Sequence, residues 1–109
     1  MNEILKSDDT QERCGLEMSD GTLVEIQNIA DDPIGTFEMD PQAVLPLIQS
    51  GQVVATWHTH PQQDPSLSGE DYSFFLSWPD LKHKIVGVRD GQNMTLTYEV
   101  ADGLVLLCE

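Results

Sequence analysis

Short runs of alternating apolar and polar residues, punctuated by Asp-Gly pairs, dominate the pattern along the chain. In CGLEMSDGTLVEIQNIA, Asp20-Gly21 lies between alternating apolar residues. This predicts a hairpin with strands at about Gly15–Met18 and Thr22–Asn28. DDPIG reads as a loop and TFEMD as a short extended piece before Pro41. Pro41 suits the first turn of a helix, and QAVLPLIQSG ends at a glycine that suits its C-cap. Pro46 inside that helix predicts a kink or an early stop. QVVATWHTH is the best strand, because Val53, Val54, Thr56 and Trp57 all favour extended backbone. PQQDPSLSG is a loop, and GEDYSFFLSW a helix with Ser68 as its N-cap. KIVGVRD and NMTLTYEV are strands joined at Asp90-Gly91, and Asp102-Gly103 leads to an edge strand, LVLLC. Residues 1–12 are polar, with at most a helical turn at NEILK. The pattern predicts an α/β fold: a mostly antiparallel sheet with one or two packed helices.

Composition narrows the partners. At 109 residues the chain has the size of a single domain, residues 1–109, with one modest core. Its net charge is −14, from five basic and nineteen acidic residues. That excludes ordinary phosphate-directed nucleic-acid binding and argues against anionic membranes. A basic partner segment would be attracted, although the charge also serves solubility alone. The start MNEILKSDDT lacks a basic region and apolar run, and no segment is long and apolar enough to span a bilayer. The expectation is a soluble, cytoplasmic protein. Cys14 and Cys108 form no CxxC pair and read as free thiols.

The chemistry concentrates in WHTHPQQDPSLSGED, Trp57 to Asp71. Side chains at i and i+2 of a strand share a face, so His58 and His60 stand close enough to hold one ion. A catalytic zinc takes three protein ligands and leaves one position open. Asp71, in the first turn of the next helix, is placed to supply the third. Each feature also has an ordinary reading. Ser68 and Asp71 match a helix capping box, and strand ends carry histidines for many reasons. Cys14 either borders the pocket or, the preferred reading, is a small core residue; His83 either supports the site residues or, the preferred reading, lies on the surface; Trp78-Pro79 reads as a helix stop. Trp57 reads as a core residue facing away from the histidines. Asp64 is either a stray ligand or part of an ordinary Asp-Pro turn.

The full pattern, His-x-His-x(7)-Ser-x(2)-Asp, resembles the signature of the JAMM, or MPN-type, zinc metalloproteases. It falls on His58, His60, Ser68 and Asp71, with Pro61 after the second histidine also similar. ERCG, the SDGT hairpin, NIADDP, FEMDP and SWPDLKHKIVGVRDG extend the likeness over nearly the whole chain, towards the small JAMM domains of phage tail-assembly proteins. The resemblance implies a curved, JAMM/cytidine-deaminase-like layer fold and a Zn2+ ion held by His58, His60 and Asp71. It implies that Glu12, in ERCG, is the general base; Glu17 and Glu25 match less well. Ser68 would donate a hydrogen bond to the oxyanion. Only eleven residues precede Glu12, so the helix expected there in the family is cut short. The second peptidase domain carried by many phage tail relatives is expected to be absent or separately encoded.

The implied activity is hydrolysis of a peptide or isopeptide bond. Implied substrates are conjugates or C-terminal extensions of ubiquitin-like proteins, a sulfur-carrier protein, or a phage tail component, in the host cytoplasm if the protein is phage-encoded. Two other classes remain: a catalytically silent MPN scaffold, and an acidic DNA-mimic inhibitor whose only warrant is the charge.

Overall fold

The computed structural model describes residues 11–32 and 36–108. The turn expected at NEILK and the centre of the DDPIG loop lie outside them. The elements follow in the order β1 (Cys14–Met18), β2 (Leu23–Ile26), α1 (Pro41–Gln49), β3 (Val53–Thr59), α2 (Gly69–Ser77), β4 (Lys82–Arg89), β5 (Gln92–Ala101) and β6 (Leu104–Leu107). The strands form one sheet in the order β2-β1-β3-β4-β5-β6. Only β3 and β4 pair in parallel, and α2 connects them; the other pairs are antiparallel. The chain is therefore α/β, with a mostly antiparallel mixed sheet and, among the described residues, two helices.

The Asp-Gly pairs do not all act alike. At Asp90-Gly91 φ is 55° and 77°, and at Asp102-Gly103 it is 54° and 76°. The strands pair right up to these residues, Arg89 with Gln92 and Ala101 with Leu104. Two left-handed central residues match the twist of the flanking strands. At Asp20-Gly21 only the glycine is left-handed, and Asp20 accepts a hydrogen bond from the Thr22 N–H at 2.9 Å. The result is a wider loop. β2 also stops at Ile26, short of the expected Asn28. The Asn28 side chain explains the stop: its amide donates to the Glu12 and Thr36 carbonyls, and its oxygen accepts from the Ala30 and Glu38 N–H groups.

Helix α1 starts as the sequence predicts, with Asp40 accepting from the Gln42 N–H and Pro41 in the first turn. It does not break at Pro46. Proline removes one backbone hydrogen bond there. Packing compensates, because Val44, Leu47 and Ile48 lie against Leu16 and Ile26 of the sheet. Helix α2 seats the fully buried Phe75 on Ile85 and Tyr98. Burying that ring stabilises the fold by about 1.5–3 kcal/mol.

Register decides which residues meet the helices. Cys14 pairs with His58, Leu16 with Thr56, Thr56 with His83 and His58 with Ile85. These residues share the helix-covered face. Trp57 points to the opposite face and is fully buried, as expected for the residue before the first histidine. Its ring lies over Gly15, where a Cβ atom would fall 2.5 Å from it.

Candidate metal centre

The site forms where β1, β3 and α2 converge. His58 is the penultimate residue of β3, and His60 lies one residue beyond the strand. The His60 N–H donates to the Val86 carbonyl at 2.7 Å, which prolongs the extended path and keeps both imidazoles on the α2 side. Thr59, between them, faces away. Its N–H donates to the Arg13 carbonyl (2.8 Å) and its Oγ1 accepts from the Arg13 N–H (2.9 Å). This double bond to the entry of β1 brings Glu12 beside the histidines. From the other side, the Ser68 Oγ accepts the Asp71 N–H, and Asp71 Oδ2 accepts the Ser68 N–H, both at 3.1 Å. The capping box is real, and it aims the Asp71 carboxylate at the strand end.

The distances match a metal centre. Nε2 of His58 lies 3.3 Å from Nε2 of His60. Asp71 Oδ1 is 2.9 Å from the first nitrogen and Oδ2 3.0 Å from the second. Ligands about 2.0–2.1 Å from a tetrahedral zinc stand about 3.3 Å from one another. Glu12 completes the group: its carboxylate and the two imidazoles offer donor atoms all within 4.8 Å of one another.

The tautomer of His60 sharpens the fit. Its Nδ1 lies 3.0 Å from the Asp64 carbonyl, which can only accept, so Nδ1 carries a proton. In a neutral ring Nε2 is then a lone pair, and it faces a carboxylate oxygen. Such an arrangement needs positive charge between the two, from a second ring proton or from a metal ion. An imidazole whose far nitrogen donates to a carbonyl is the usual form of a metal-ligating histidine. His58 is held differently. Its Nδ1 has no hydrogen-bond partner among the described residues, and its fully buried ring stacks on Phe37 at 4.4 Å. The donor set of two imidazoles and one carboxylate fits a catalytic zinc.

The electrostatics are strongly polarised. Burial alone would raise the Asp71 carboxyl, but hydrogen bonds and charge from His58 and His60 hold it well below the carboxylate range. Burial pushes His58 down, outweighing its bond to Asp71. Burial also pushes His60 down, yet its bonds to Asp71 and the Asp64 carbonyl leave it raised. Burial lifts Glu12 to about 7, with Asp71 and Glu70 adding to the rise and His60 opposing it. Glu12, His60 and Asp71 open onto a cleft also lined by Thr36, Phe37, Gln63, Ser68, Glu70 and Phe74, with His58 buried behind them.

All five residues singled out from the sequence, Glu12, His58, His60, Ser68 and Asp71, meet at this corner. Glu17 and Glu25 do not; they pair with Lys84 and Arg13. Cys14 lies behind His58, fully buried, its thiol 3.5 Å from the Ile26 carbonyl and pushed up to about 12 by burial. His83 corrects the surface reading: it is fully buried beneath α2. DLKHKIV hides this, because β4 begins at Lys82 rather than Lys84, which turns His83 inward onto Phe75. Asp64 acts through its main chain, and Phe37 through its ring. The Asp-Pro pair hints only at a turn, and nothing in TFEMD marks Phe37 as a wall of the site.

No family model and no curated protein matches the chain. Solved structures do. A Desulfitobacterium hafniense protein known from its solution structure is 22% identical with a TM-score of 0.74, covering 98% of this chain and 84% of that one. A Salinibacter ruber protein, also determined in solution, is 22% identical with a TM-score of 0.57, covering 91% and 75%. At this identity the likeness concerns the fold. No helix among the described residues is long and apolar enough to cross a membrane.

Proposed function

We propose that this protein is a zinc-dependent hydrolase of peptide or isopeptide bonds, of the JAMM metallopeptidase type. His58, His60 and Asp71 hold the ion, Glu12 is the general base, and Ser68 stabilises the oxyanion. One observation carries the reading: two imidazole Nε2 atoms and a carboxylate converge at 2.9–3.3 Å, with the His60 proton fixed on the far nitrogen.

Zinc in such a site lowers the pKa of bound water from about 15.7 to about 7. Glu12, beside both histidines and on the cleft wall, is placed to take a proton from that water and return it to a leaving amine. Ser68 Oγ spends a lone pair on the Asp71 N–H and keeps its hydroxyl proton for a substrate carbonyl oxygen. Phe37 and Phe74 supply the apolar walls of the cleft. Glu70 beside Glu12 makes the rim acidic, which suits a substrate with a basic segment near the scissile bond. Candidate substrates are C-terminal extensions or conjugates of ubiquitin-like proteins and a phage tail component.

The test begins with zinc per chain in protein purified without added metal, beside His58→Ala and Asp71→Ala. About one zinc per chain, lost in both variants, supports the site. Hydrolysis of an isopeptide-linked or C-terminally extended ubiquitin-like protein, abolished in Glu12→Gln, then supports the activity. A protein that neither carries zinc nor takes it up when offered is not this enzyme.

A further inference from the structure

The loop between His60 and α2 is fastened to the end of β4. The His60 N–H donates to the Val86 carbonyl, and the Val88 N–H donates to the Gln63 carbonyl at 2.6 Å. Gly87 makes the close approach possible. A Cβ atom there would collide with the Gln63 carbonyl and with Pro65. Two residues beyond Gly87 on β4, Arg89 grips the Asp64 carboxylate with two parallel bonds, Nε to Oδ1 at 2.7 Å and Nη2 to Oδ2 at 3.0 Å. Asp64 Oδ2 also accepts the Ser66 N–H at 3.1 Å. The carbonyl of this same Asp64 receives the Nδ1–H of His60.

Asp64 thus joins two jobs in one residue. Its side chain is held from β4, and its main chain orients an imidazole of the site. We propose that Arg89 is a positioning residue for His60, acting through Asp64 to fix the ring that faces Asp71 and His58; the proposal rests on reading that corner as a metal centre. Arg89 touches no group of the site. Its effect is to narrow the orientations of the Asp64 carbonyl, and so of the His60 ring. A guanidinium fork suits this task because two parallel bonds fix the direction as well as the distance of the carboxylate. Partners that hold a metal ligand directly are worth about ten- to a hundredfold in metal affinity. Arg89 acts one bond further out, so its share is smaller.

The experiment is a chelator competition that reads zinc affinity in the wild type, Arg89→Ala, Arg89→Lys, Asp64→Ala and the double variant Asp64→Ala/Arg89→Ala. In parallel, 15N NMR of the zinc-free proteins reads the tautomer of the His60 ring. The expected result is a three- to tenfold loss of affinity in Arg89→Ala, roughly an order of magnitude below a direct partner's range. Arg89→Lys recovers only part of it, because a point charge does not reproduce the fork. The double variant binds no more weakly than Asp64→Ala, and His60 loses its fixed Nδ1–H form in every variant that binds weakly. Wild-type affinity together with wild-type His60 signals in Arg89→Ala overturns the proposal. So does additivity in the double variant, because Arg89 would then act by another route. Should the wild type bind no zinc, the metal reading fails, and the His60 signals of the zinc-free variants still decide whether Arg89 positions the ring.

Discussion

Two buried histidine environments lie side by side under α2, and they have opposite chemistry. His83 uses both ring nitrogens locally. Its Nε2 donates to the Trp78 carbonyl at 3.0 Å, so its Nδ1 is free to accept from the Thr56 hydroxyl at 2.6 Å. Phe75 stacks on it at 4.3 Å, and burial drops its pKa to about 4. It is a neutral, satisfied core residue. His60 has one nitrogen pinned by a carbonyl in the same way, but its second aims at a carboxylate and at another imidazole. Burial does not separate the two cases, since His58 is as deeply enclosed as His83. What separates them is whether the second nitrogen already has a neutral partner. A satisfied histidine has no capacity for an ion. A histidine whose far nitrogen is pinned by a carbonyl and whose near nitrogen faces a carboxylate, as in His60, calls for a positive charge between them.

The largest predicted effect breaks this comparison in two. His58→Ala or Asp71→Ala removes one of the three proposed ligands and should abolish stoichiometric zinc, as read by elemental analysis. His83→Ala leaves zinc at one per chain. It costs about 2–4 kcal/mol in denaturant unfolding, because it opens a cavity and strands the Thr56 hydroxyl and the Trp78 carbonyl. If His83→Ala also strips the metal while the protein stays folded, the division between the two environments is wrong.

Next in size is catalysis. Glu12→Gln keeps the shape of the side chain but cannot accept a proton. Hydrolysis should fall by about 10²–10⁴-fold while zinc content stays near one. A loss of zinc in Glu12→Gln would instead make Glu12 a ligand.

The pH dependence of stability sharpens the comparison further, because Glu12 and His83 slope in opposite directions. In zinc-free protein Glu12 has a folded pKa of about 7 against an ordinary value of 4.5. The folded state therefore binds the extra proton, and stability is lost as pH rises from 4.5 towards 7. The folded pKa of His83 is about 4 against 6.5, so its neutral form is favoured and stability is lost as pH falls from 6.5 towards 4. Raised His60 adds to the first slope, and lowered His58 and Asp71 add to the second. Taking Glu12→Gln minus wild type isolates one group: the difference should favour the variant increasingly between pH 4.5 and 7 and then level off. Zinc reverses the logic by favouring the ionised carboxylate, so the difference should vanish in loaded protein. A flat difference in zinc-free protein would mean that Glu12 is better solvated than its place beside Asp71 implies.

Much of this was legible in the chain. Strand β3, both helices and the β4–β5 and β5–β6 turns follow from β-branched runs, caps and Asp-Gly pairs, which are local signals. Four of the five candidate residues were legible because they lie within fourteen residues of one another and spacing fixes which face they share, whereas Glu12 followed only from the resemblance around ERCG. The rest depends on contacts between distant segments. The early end of β2 comes from an Asn28 side chain that bonds four backbone groups. The burial of His83 follows from the parallel register of β3 and β4, which no local pattern encodes. The continuity of α1 through Pro46 is a tertiary effect of Val44 and its neighbours. The Asp64–Arg89 link spans 25 positions and is invisible to any window.

The smallest predicted effect compares two ion pairs of similar chemistry. Arg89–Asp64 is the more exposed, with side chains 40% and 43% accessible; Lys84–Glu17, on the opposite face of the sheet, is 27% and 22% accessible. Pairs in this range contribute about 0–1 kcal/mol to folding, so Arg89→Ala and Lys84→Ala should shift the unfolding midpoint only slightly and by similar amounts. Their consequences for the site should differ. The Lys84 side chain bonds Glu17, which has no bond to the histidines among the described residues, whereas Arg89 holds the residue whose carbonyl orients His60. Zinc affinity should therefore separate two variants that stability does not. Equal zinc affinity in the two would reduce the Arg89 pair to surface decoration. A fall confined to Arg89→Ala would show that a pair too weak to hold the fold can still hold one imidazole in register.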